Sequence, residues 1–123
     1  MLALVPRPDR LPALEEQIAT LATQISAASA RLLECLREFD ALEGWGLEGF
    51  RSCAHWLSWR VGLDLGAARE HVRVARALGG LPRVTAAFAA GALSYSKVRA
   101  LTRIARSDTE EDLVGIGLAA TAA

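Results

Sequence analysis

LPALEEQIATLATQISAASARLLECLREFDAL, residues 11–42, decides the fold. Leu14, Ile18, Leu21, Ile25, Ala28, Leu32, Cys35, Phe39 and Leu42 recur in alternating steps of four and three. That is a heptad seam over four heptads, and neither Gly nor Pro interrupts it between Leu14 and Leu42. A helix over 11–42 would run about 48 Å at 1.5 Å per residue. A small domain cannot cover such a helix along its whole length. The seam therefore needs a second long surface. Two answers stay open here: packing against later helices of the same chain, or a homodimer through the Leu14–Leu42 seam.

Outward from this helix the punctuation is regular. Pro6, Pro8 and Pro12 mark an irregular lead over residues 1–10. The run EGWGLEGF, residues 43–50, breaks the helix with three glycines. A second helix is expected from about Ser52 to Val61, with Gly62 as its left-handed terminator. Asp64 caps a third, which continues to Leu78 and stops at Gly79-Gly80. Pro82 fits the first turn of a fourth, ending at Gly91. Ser94 caps a fifth, expected to reach about Arg106. Ser107 with Glu110 reads as a capping box for a terminal helix over 107–123. No segment shows strand alternation. The expectation is one all-α domain over residues 1–123, a long first helix followed by about five shorter ones. Alanine and leucine, 24 and 19 of 123 residues, suit that reading because both are strong helix formers.

A shift of 30 residues aligns Leu63-Asp64 with Leu93-Ser94. It also aligns Arg69, Arg73 and Arg76 with Arg99, Arg103 and Arg106. Val74 then matches Ile104, and Ala75 matches Ala105. The reading is a duplicated helical hairpin over 51–106, each copy ending in a helix with an arginine stripe. At ~100° per residue the first three arginines fall within an arc of about 60°. Such hairpins have a helix-turn-helix outline, and the striped helix could meet DNA. Double-stranded DNA is the expected partner, with Arg69, Arg73, Arg76, Lys97, Arg99, Arg103 and Arg106 as the contacting residues. The competing reading is a protein-interaction or dimerisation scaffold whose arginines are solvated or ion-paired.

Charge supports the first without settling it. The net charge is zero, with 14 basic and 14 acidic residues. Yet residues 66–106 carry eight basic side chains and one acidic, Glu70, while residues 9–48 carry eight acidic and three basic. A basic middle between acidic ends implies an anionic partner or internal pairing.

Catalytic equipment is not legible. His55 and His71 are the only histidines, and neither has a partnered acid nearby in the sequence. Cys35 and Cys53 lack metal spacing. The single lysine, Lys97, has no phosphate-loop neighbours. No metal, cofactor or small-molecule substrate is expected. The apolar start of MLALVPRPDR is too short for a signal peptide. The longest apolar stretch, Val84 to Leu93, is far short of the ~20 residues that span a bilayer. No membrane partner and a cytoplasmic, reducing location are therefore expected.

The run from Trp56 to Arg106, WLSWRVGLDLGAAREHVRVARALGGLPRVTAAFAAGALSYSKVRALTRIAR, resembles domain of unknown function 222 (DUF222). Trp56-Leu57, Gly62-Leu63, Ala68, Val74-Ala75, Leu78, Leu81-Pro82, Gly91, Leu93-Ser94 and Lys97 carry the resemblance. It implies a helical module that commonly precedes an HNH nuclease module in actinobacterial proteins, including the 13E12 repeat family. An HNH centre needs a metal-binding His set and an Asn. This chain has no Asn. It is expected to be a truncated, non-enzymatic member from which the HNH module is absent.

Overall fold

The computed structural model describes residues 9–122; the lead over residues 1–8 lies outside them. Seven helices follow one another and, among the described residues, no strand is present: α1 Arg10–Ala41, α2 Gly44–Leu47, α3 Cys53–Val61, α4 Leu65–Leu78, α5 Pro82–Ala89, α6 Tyr95–Leu101 and α7 Glu110–Ala122. The all-α fold with a long first helix is thus as expected. The glycine-rich link contains the extra short turn α2, entered through Glu43 at φ 54°.

Local chemistry sets most boundaries. Ser52 caps α3 by accepting from the His55 N–H, and Ser94 caps α6 by accepting from the Lys97 N–H. Asp64 accepts from Gly66 N–H at the start of α4. Gly62 closes α3 at φ 76°, a conformation that costs a residue with a Cβ.

Two boundaries differ from the sequence expectation. α6 stops at Leu101, not near Arg106. The Thr102 hydroxyl donates to the Arg99 carbonyl, and tighter turns follow through Ile104. Glu110 does not serve a capping box with Ser107. Thr109 stands before α7, while Glu110 is 2% exposed and its Oε1 accepts from the Arg83 N–H at 2.7 Å. Glu110 thereby caps α5, whose own preceding residue is Leu81 and offers no acceptor.

The core is continuous. Leu33 and Leu36 of α1, Leu57 of α3, Val74 and Leu78 of α4, Val84 and Phe88 of α5, Leu93, and Val98 of α6 are all buried. α1 packs on α4 and α5, α3 on α4, and α7 on α5 and α6. Only the C-terminal part of α1 joins this core. Every described residue from Asp9 to Ile25 is exposed. Thr23 rests against Gly91 of the α5–α6 turn, so the part of α1 before it projects as a free arm roughly 21 Å long at 1.5 Å per residue.

Candidate nucleic-acid interface

Residues 69, 73 and 76 sit four and three apart on α4, so their side chains share one face. They line an open groove of about 390 Å³ with Ser52 and Cys53 from the start of α3. α6 lies beside α4 and brings a second group to the same surface. Glu70 is the hub. Its carboxylate accepts from Arg73 Nε, from Arg99 Nε at 2.8 Å, and from Arg103 Nη2. Arg73 Nη2 also donates to the Arg99 carbonyl at 3.1 Å, which ties α4 to α6. Arg76 forms a two-pronged pair with Asp40 of α1, at 2.7 and 3.1 Å.

Five of the seven sequence-named residues therefore fall into two clusters joined at Arg73: Arg69, Arg73 and Arg76 line the groove, and Arg73, Arg99 and Arg103 share Glu70. The other two stand apart. Arg106 lies beyond α6 and pairs with Asp108 at 3.3 Å. Lys97 is half-buried at the start of α6 and belongs to its first turn. Sequence reasoning counted Glu70 only as the lone acid in a basic stretch. That isolation was the available signal, since one acid among eight bases is bound to attract several of them.

The electrostatics leave a surplus. Four guanidiniums pair with two carboxylates, Asp40 and Glu70, and Arg69 lines the same groove, so these seven groups carry three positive charges in excess. Hydrogen bonds from Arg73 and then Arg99 hold Glu70 down to about 2, against an ordinary value of 4.5. The hydrogen bond from Arg76 likewise holds Asp40 below its ordinary range. Both carboxylates are ionised at neutral pH. The arginines are more than half exposed at 76, 99 and 103, while Glu70 and Asp40 are nearly covered at 13% and 11%. The acids form the floor of the surface and the guanidiniums its rim.

Nearby groups are quiet chemically. Burial, then the adjacent Asp40 charge, pushes the Cys53 thiol up to about 11, so it stays protonated and unreactive. His71 stacks on Tyr95 with ring centres 4.5 Å apart and hydrogen-bonds the Ala67 carbonyl, a boundary role. His55 is engaged by the Ser52 hydroxyl. Among the described residues no cluster of three His, Cys, Asp or Glu could hold a metal. No helix among them is long and apolar enough to cross a membrane.

The chain belongs to the family of helical domains of unknown function termed DUF222, whose model matches residues 11–123. No match is found among curated proteins or among solved structures.

Proposed function

We propose that this chain is a non-catalytic, cytoplasmic helical module of an HNH-endonuclease-like protein, and that its α4/α6 surface grips the phosphates of double-stranded DNA. One observation carries the reading. Arg69, Arg73 and Arg76 line one groove, Arg99 and Arg103 join Arg73 at Glu70 beside it, and only two carboxylates, Glu70 and Asp40, pair with them. Glu70 and Asp40 lie covered beneath the guanidiniums, whose outer N–H groups at 76, 99 and 103 stay more than half exposed. Phosphate can therefore add to the outward N–H groups while Glu70 and Asp40 keep their arginine partners. Guanidinium suits that double engagement because its planar fork of five N–H donors fits phosphate oxygens as well as carboxylate. The contacts are to backbone, so the grip is indifferent to base sequence. The association with an HNH module rests on the resemblance of residues 56–106.

The test is fluorescence anisotropy with a labelled duplex over a salt series. Binding is expected at ~50 mM salt, and log K should fall against log salt with a slope of about −3 for three phosphates. No binding at that salt leaves the arginines as surface ion pairs, as the scaffold reading has them.

A further inference from the structure

The arm of α1 carries a surface that the basic face does not explain. Leu11, Leu14, Ile18, Leu21, Ile25 and Leu32 are 55, 37, 66, 49, 67 and 45% exposed. Burying them against a matching helix would cover on the order of 600 Å² per chain, about 1,200 Å² for the pair, the lower bound of stable specific interfaces. Leu14, Ile18, Leu21 and Ile25 follow steps of four and three, so they line one seam along the arm. Within residues 9–25 Thr23 packs against Gly91, while Leu11, Leu14, Ile18 and Leu21 stay exposed.

The far end of the seam fixes orientation. Phe39 lies against Trp56 of α3, with ring centres 4.1 Å apart. Between α1 and α3 an apolar groove of about 270 Å³ opens beside Leu32 and Cys35, with Val61 on its other wall. α3 thus occupies the seam side of α1 beyond Leu32. A second α1 laid parallel and in register would run into it. Laid antiparallel, each helix ends beyond the other's arm, and its tip reaches the other's groove. A parallel pair would offer one exposed Arg10–Glu15 contact between chains, too weak to outweigh that obstruction.

We infer that the α1 arm pairs with the α1 arm of a second copy of this chain, antiparallel, with Leu11 and Leu14 landing beside Leu32 and Cys35 of the partner subunit. The intramolecular end of the seam, Phe39, takes no part. The arrangement would place one basic face at each end of an elongated dimer.

Sedimentation of the 123-residue chain over a concentration series tests the pairing. A dimer is expected by about 100 µM, and Ile18→Asp with Ile25→Asp should weaken it at least ~100-fold. Both positions are exposed, so helical content and melting of the bundle should persist. Mild oxidation of the Leu11→Cys variant with diamide tests orientation. The expected link joins the introduced thiol to Cys35 of the partner subunit, read by peptide mass. A strict monomer, or a dimer indifferent to the double Asp change, would give the arm to some other occupant and overturn the inference. A link between Cys35 and the partner's Cys35 would overturn the antiparallel arrangement.

Discussion

Phe88→Ala should destabilise the fold by about 3–5 kcal/mol, the range for removing a fully buried aromatic ring. Phe88 is 1% exposed on α5 and belongs to the cluster that joins α1, α4 and α5. A small crevice already lies beside it, lined by Ala30, Leu33 and Leu78. Loss of the ring would merge with that crevice rather than close over it. α1 and α5 meet there, so the cavity falls where the long helix is anchored. Urea unfolding followed by helical signal checks the figure. A cost under ~1 kcal/mol would mean that α5 does not carry the core.

The second large effect concerns Gly91. Its φ is 77°, and a Cβ there would stand 2.6 Å from both the carbonyl oxygen and the Cγ2 of Thr23. One of those atoms is backbone and cannot step aside. Gly62 offers the matched control, with φ 76° and open space around it. Gly62→Ala should cost only the left-handed strain, roughly 1 kcal/mol. Gly91→Ala should cost that plus the collision, about 3 kcal/mol in all. Thermal melts of both variants read the difference. Equal costs would show that α1 does not cross the α5–α6 turn at Thr23.

How much of this was legible beforehand follows from which interactions are local. The helix over 11–42 was legible because its period and its lack of breakers lie within one segment. So were the caps at Asp64 and Ser94, each of which bonds two or three residues onward. The end of α6 was not. No Gly or Pro marks Leu101, and the stop depends on turns closed by backbone and by the Thr102 hydroxyl. Glu110 was misassigned for a related reason. Its spacing from Ser107 fits a local motif, but its acceptor is spent on Arg83, 27 residues away. The arginine stripe on α4 followed from spacing. That Glu70 would gather Arg99 and Arg103 from 29 and 33 residues further on depended on α6 lying beside α4. The seam was seen as one feature, whereas the structure divides it between a free arm and Phe39 held by Trp56. A heptad pattern states that a helix wants cover and not which surface supplies it.

Binding of duplex DNA by Glu70→Gln, compared with the unaltered chain at ~50 mM salt, bears most directly on the α4/α6 surface. Glutamine removes the charge that Arg73, Arg99 and Arg103 share while keeping an acceptor in place. If those guanidiniums serve phosphate, affinity should rise about three- to tenfold and the salt slope should steepen by about one. Unchanged or weaker binding, with the helical signal intact, would contradict the account.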